Sequence, residues 1–136
     1  YVAGMAFSNV GLGVVHGMAH PMGSLFDIPH GVANALLLPT IMEFNKPVCI
    51  EKYVEIAKAM DAYKDGMTKA EAAQAACDAV RALAIEVGIP QHLSDLGITE
   101  KDIDALADQA IEDVCTPGNP RLVTRQDIVD LYKKVL

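Results

Sequence analysis

No side chain of fixed charge stands before Asp27, and no lysine or arginine before Lys46. This uncharged opening constrains the fold more than any other feature of the chain. A helix that is apolar on every side belongs in a protein core or in a bilayer. Gly4, Ser8, Asn9, Gly11, Gly13, His16, Gly17 and His20 make residues 1–20 poorly lipophilic, which favours a core helix over a membrane span. Each glycine costs a helix about 0.5–1 kcal/mol relative to alanine. That cost is explained if another backbone or a ligand must approach closely.

Helical spacing organises the remainder. A first helix is expected from Val2 to His20, ended by Pro21 and followed by the loop MGSLFDI. A second is expected from His30 to Phe44, entered at Pro29, where a missing N–H does no harm, and kinked at Pro39. After NKP the pattern turns amphipathic, with Ile50, Tyr53, Val54 and Ala57 at helical spacing. Thr68 with Glu71 reads as a capping box opening a helix with the stripe Ala73, Cys77, Val80, Leu83 and Val87, ended by Gly88 and Pro90. Thr99 with Asp102 opens another, with Ile103, Leu106, Ala110 and Ile111 on one face. Thr124 with Asp127 caps the last, with Val123 set to staple onto Ile128 and a stripe of Leu131, Tyr132 and Val135. No strand-like alternation or repeat of useful length occurs. The expected fold is all-α: one domain over residues 1–136, a bundle of about six helices with the first two buried.

Charge and cysteines narrow the function classes. A net charge of -7 opposes nucleic-acid binding, which needs a basic patch. Cys49, Cys77 and Cys115 are odd in number and form no CxxC pair, which predicts free thiols in a reducing, cytoplasmic setting. No basic segment precedes an apolar one in the manner of a signal peptide, and no membrane partner is expected.

The histidines carry the chemistry. Three of the four lie in VHGMAHPMGSLFDIPHGV, within the most apolar part of the chain, where burial penalises any unpaired polar group. His16 and His20 are four apart and share one helix face, about 5–6 Å between Cβ atoms. Two such rings can converge on one metal ion, or one can ligate while the other faces a substrate. His30 follows Pro29 in the first turn of the next helix, at the positive end of its dipole, which suits a neutral ligand better than a cation. HxxxH alone is a weak signal, and without an internal glutamate it is no zinc-peptidase motif. Satisfied core histidines are the plain alternative. His92, in GIPQHLSDLGI, reads as surface. Met18 and Met22 beside His20 raise copper handling, although methionine is more often core filler. No glycine-rich phosphate loop between a strand and a helix is present.

GLGVVHGMAHPMGSLFDIPHGVANALLLP spaces Gly13, His16, His20, Gly23 and Pro29-His30-Gly31 in a long pattern that resembles the C-terminal signature of the iron-dependent (group III) alcohol dehydrogenases. AGMAFSNVG and DVCTPGNPR are also similar to family segments, and the likeness is nearest to the propanediol and short-chain alcohol dehydrogenases. The resemblance implies the C-terminal, dehydroquinate synthase-like helical domain of an enzyme that interconverts a primary alcohol or diol and its aldehyde by hydride transfer. It implies one Fe²⁺, alternatively Zn²⁺, held by an aspartate and three histidines, with NAD(H) or NADP(H) bound by an N-terminal dinucleotide domain. On the match His16 and His30 are metal ligands. His20 does not ligate; it faces the nicotinamide and substrate and helps move a proton. Phe7 and Cys115 match positions lining the substrate pocket. A homo-oligomer acting on a small alcohol or aldehyde is implied as well. Gly13 and Gly17 would let the nicotinamide or a neighbouring helix approach.

One family element is missing. The first two ligands are spaced D-x-x-x-H in the family, and no such pair occurs here: Leu12, His16, Phe26 and Gly88 precede the four histidines by four positions. The chain therefore reads as the C-terminal part of such an enzyme, without the dinucleotide-binding domain. It is expected to be inactive alone, to bind metal weakly, and to self-associate through the apolar surface of residues 1–30. The rival expectations are a self-contained helical domain binding iron, zinc or copper, and a structural helical module with buried histidines.

Overall fold

The computed structural model describes residues 1–136, and it is helical throughout with no strand. Its α-helices are α1 (Val2–Val10), α2 (Val14–Phe26), α3 (His30–Ala59), α4 (Lys69–Glu86), α5 (Ile103–Glu112) and α6 (Arg125–Lys134). Short 3-10 turns occupy Leu93–Leu96, Glu100–Asp102 and Thr116–Gly118.

The count of six agrees with the sequence expectation, but the boundaries do not. The expected first helix is two, broken at Gly11, whose φ of 80° is open to glycine and strained for other residues. Pro21 does not end α2, which runs on to Phe26, so most of the expected MGSLFDI loop is helical. Pro39 and Pro47 both lie inside α3, which merges the two helices expected on either side of NKP. A proline inside a helix removes one backbone bond and needs support nearby. Here the Arg121 guanidinium donates to the Phe44 carbonyl at 2.7 Å and lies 3.9 Å over the Phe44 ring. Asn45 and Asn119 exchange reciprocal amide bonds of 2.9 and 2.8 Å one residue further on. The segment 119–121 thus clasps α3 at its second proline.

The capping boxes at Thr68/Glu71, Thr99/Asp102 and Thr124/Asp127 all form. The α4 stripe shifts: Ala73 and Cys77 are buried, but Ala72, Ala76 and Ala84 join them, while Leu83 and Val87 are exposed. Small alanines let α4 lie close along the second half of α3, around a minor core of Met42, Cys49, Tyr53 and Ala57. The predicted faces of α5 and α6 are buried at Ile103, Leu106, Ala110, Leu131, Tyr132 and Val135.

The second helix of the structure is the centre of the main core. α2 packs against α3 on one side and α5 on the other, and α6 covers α5. Met18 and Met22 are fully buried, as core filler rather than ligands, and the buried Tyr132 hydroxyl donates to the Met18 carbonyl at 2.6 Å. The expectation that both opening helices are buried fails for α1. None of its residues is buried, and Val2, Met5, Phe7 and Val10 are exposed. The expected apolar surface over residues 1–30 is therefore concentrated on α1. No single helix is long and apolar enough to cross a membrane, and α1 with α2, which together approach that composition, are bent by 100°. Cys49, Cys77 and Cys115 are free thiols.

Candidate metal centre

α2 carries His16 and His20 on the face turned away from the core, one helical turn apart. The Asp27–Pro29 connection brings the first residue of α3, His30, back beside them. The three ring centroids are 6.0 Å (His16–His20), 5.2 Å (His16–His30) and 5.4 Å (His20–His30) apart. The polarity of the opening run is thereby resolved. These are not core histidines: His16 and His20 are half-buried and His30 is exposed, because the core-facing side of α2 is taken by Val14, Met18 and Met22.

The spacing suits a shared ion. A metal about 2.0–2.1 Å from each ligating nitrogen sets two imidazole centroids roughly 5 Å apart, close to the His16–His30 separation. Burial lowers the His16 pKa below its ordinary value, and the neighbouring His30 and His20 lower it further against the opposing pull of Asp113. Asn34 donates to the His30 carbonyl at 2.9 Å and sets its amide nitrogen 3.0 Å from His30 Nε2. Its buried Oδ1 has no partner. A groove of about 500 Å³, lined by Leu12, Val15, His16, Gly31, Asn34 and Leu38 among others, opens beside the cluster.

His20 is held differently. Its Nδ1 lies 2.8 Å from Asp113 Oδ2, and its ring stacks within 17° of the His30 plane. Asp113 Oδ1 accepts from the Cys115 N–H at 2.8 Å. Burial works against ionisation of Asp113, yet these hydrogen bonds outweigh it and lower the pKa of the carboxyl. The Cys115 thiol is pushed up by burial and by the Asp113 carboxylate, so it is a thiol near neutrality, and its sulfur lies within 4.8 Å of the His20 and Asp113 ligand atoms.

The close approach expected at Gly13 and Gly17 is made by the connection after α5. A Cβ on Gly17 would collide with Thr116 Oγ1, and one on Gly13 would come 3.1 Å from Asn119 Oδ1. Gly118 lies equally tight against the Leu12 carbonyl. Segment 113–119 is thus fitted onto α2 along its small residues.

The structure brings His16, His20, His30 and Cys115 together. It leaves Phe7 on the unburied α1, stacked on none of the three imidazoles. His92 is exposed, as expected. Sequence reasoning missed Asp113 and Asn34 as site residues. Asp113 lies 93 positions from His20, and its one sequence signal was its place at the head of DVCTPGNPR.

Comparison with known proteins agrees with this architecture. Residues 1–136 match the family model described as the Fe-containing alcohol dehydrogenase family, C-terminal. Lactaldehyde reductase of Escherichia coli is 58% identical over 132 residues, which is 97% of this chain and 35% of the relative. The 1,3-propanediol dehydrogenase of Citrobacter freundii is 43% identical over 133 residues, 98% of this chain and 34% of the relative. Among solved structures, the alcohol dehydrogenase from Oenococcus oeni superposes with a TM-score of 0.94 at 40% identity, covering 98% of this chain and 35% of that one. The chain spans about a third of the length of the relatives it matches.

Proposed function

This chain belongs to the iron-containing alcohol dehydrogenase family, and from that premise we propose that the protein carrying it interconverts a primary alcohol or diol with its aldehyde, using NAD(H) or NADP(H) for the hydride. The names of the relatives support small alcohols and diols as substrates. The observation that carries the proposal is the convergence of His16, His20 and His30 within 6.0 Å at the junction of α2 and α3.

His16 and His30 are the residues that would hold Fe²⁺ or Zn²⁺. Such an ion supplies Lewis acidity to the substrate oxygen and lowers the pKa of the alcohol. The chain's own groups do the rest. Burial and the adjacent rings favour the neutral form of His16 that ligation requires. His20, tied at Nδ1 to Asp113, has Nε2 as its acceptor. It would face a bound nicotinamide, take a proton when the alcohol is oxidised, and return it in the reverse direction. Cys115, adjacent to His20, lines the substrate pocket. The same role for Phe7 rests on the motif. Assembly as a homo-oligomer is carried over from the family resemblance.

The test is an anaerobic preparation of the full-length protein that carries this chain, assayed for bound metal and for aldehyde-dependent NAD(P)H oxidation. His16→Ala and His30→Ala should lose metal and turnover together. His20→Gln should keep the metal and lose roughly 100-fold or more in kcat. A His16→Ala protein with full metal content and full rate refutes the assignment.

A further inference from the structure

Asp113 has no part in the motif that marks the metal helix, yet it is the group that holds His20. A carboxylate offers acceptors only, so the hydrogen in the 2.8 Å contact between His20 Nδ1 and Asp113 Oδ2 belongs to the ring. The neutral imidazole is then confined to the Nδ1–H tautomer, with its lone pair on Nε2. The other carboxylate oxygen is also committed, accepting the Cys115 N–H at 2.8 Å. Each oxygen of Asp113 thus faces a hydrogen-bond donor. With hydrogen on its Nδ1, His20 offers no lone pair toward Asp113, so the trio His20, Asp113 and Cys115, although close together, reads as a holder for the imidazole.

The holder is itself fixed. Asp113 stands just after α5, and its carbonyl accepts from the Thr116 N–H at 3.0 Å. The buried Thr116 hydroxyl donates to the Ala110 carbonyl at 2.6 Å, and it occupies the space that a Cβ on Gly17 would need. Gly17 is one turn before His20 on α2. The docking of this turn against Gly17 therefore sets the distance from which Asp113 reaches His20.

We propose that Asp113 is a positioning residue for His20, fixing the ring in the tautomer that presents Nε2 as proton acceptor, and that the Gly17–Thr116 contact holds Asp113 in place to do so. The proposal rests on the dehydrogenase function assigned above. In alcohol oxidation the hydroxyl proton passes to His20 Nε2, and the Nδ1 proton remains shared with Asp113, whose negative charge stabilises the imidazolium. In the reverse direction Nε2 returns its proton. A ring in the other tautomer would carry hydrogen on Nε2 and be unable to accept.

Asp113→Asn separates positioning from shape. The asparagine oxygen must take the Oδ1 place to accept the Cys115 N–H. Its NH₂ group then faces His20 Nδ1 and donates to it, which forces hydrogen onto Nε2. Long-range ¹H–¹⁵N NMR of the metal-free protein, at a pH where the ring is neutral, reads the tautomer directly. The expected result is Nδ1–H for wild-type His20 and Nε2–H for D113N. The metal-loaded D113N enzyme should hold the same amount of metal while kcat falls roughly 10- to 100-fold, the scale seen when a group orienting a functional imidazole is removed. A wild-type Nε2–H ring overturns the proposal even if the variant does not fold. A D113N protein with the wild-type tautomer and rate overturns it equally. If the tautomers behave as expected but the full-length wild-type protein that carries this chain turns over no alcohol, the dehydrogenase assignment fails and the structural hold of Asp113 on His20 stands.

Discussion

Replacing Gly17 by alanine tests how α2 is tied to the connection after α5. The added Cβ would collide with Thr116 Oγ1 and lie 3.3 Å from Thr116 Cβ and 3.4 Å from the Ala110 carbonyl oxygen. Three effects compete. Alanine in a helix interior gains up to about 1 kcal/mol over glycine. Overpacking a closed site costs about 1–3 kcal/mol. Displacing the Thr116 hydroxyl breaks its 2.6 Å bond to the Ala110 carbonyl, and leaving that buried acceptor unpaired costs about 1–3 kcal/mol more. The clash and the lost bond win, for a net destabilisation of about 3 kcal/mol. The assay is urea unfolding followed by circular dichroism, with a midpoint lowered by roughly 1–2 M. Gly31→Ala is the control, because its Cβ meets nothing within 4 Å; in the first turn of α3 its midpoint should be unchanged or slightly raised. Thr116→Ala in the Gly17→Ala background should recover part of the loss. A Gly17→Ala protein as stable as wild type refutes the contact.

Further outcomes follow from other parts of the molecule. Tyr132→Phe removes the buried hydroxyl that donates to the Met18 carbonyl and should cost about 1 kcal/mol in thermal or urea unfolding. Hydrogen bonds from Thr68, Thr99 and Thr124 lower the pKa of Glu71, Asp102 and Asp127. A depressed carboxyl stabilises the fold above its unfolded pKa, so this stability should begin to fall as pH drops below the ordinary values of 4.5 for Glu71 and 3.8 for Asp102 and Asp127 and be lost as pH passes through their lower folded values. Replacing the three threonines with alanine removes only their hydroxyl bonds and keeps the backbone N–H bonds, so it should flatten that acid limb in part, and least at Glu71, in a pH series of unfolding midpoints. On the proposed assignment His16 and His30 are the only ligands within residues 1–136, so anaerobic Fe²⁺ titration of this segment should show weak binding; submicromolar one-to-one affinity contradicts that assignment.

Much of the site was legible in the sequence because its parts are local. His16 and His20 are one turn apart, and Pro29-His30 returns the chain beside them within ten residues, so spacing and helix geometry were sufficient. The capping boxes were equally legible, since each is a contact across three positions. The prolines misled for a physical reason. Pro21 and Pro47 look like helix ends when only local bonding is counted. At Pro47 the added support, from Arg121 and Asn119, comes from more than 70 residues away. The break at Gly11 was hidden because a glycine permits a turn without requiring one.

The amino-acid sequence by itself determined the helical class, the caps, the core faces of α5 and α6, and the three imidazoles with their likeness to a metal-binding signature. Only the tertiary structure decided which glycine met which neighbour, that the histidines stand at the open edge of α2 rather than in the core, and that His20 answers to Asp113. Local patterns record what a residue does within a few turns of chain. The partner of His20 lies 93 positions away, and that distance is closed by α5 packing against α2, which no spacing in the sequence encodes.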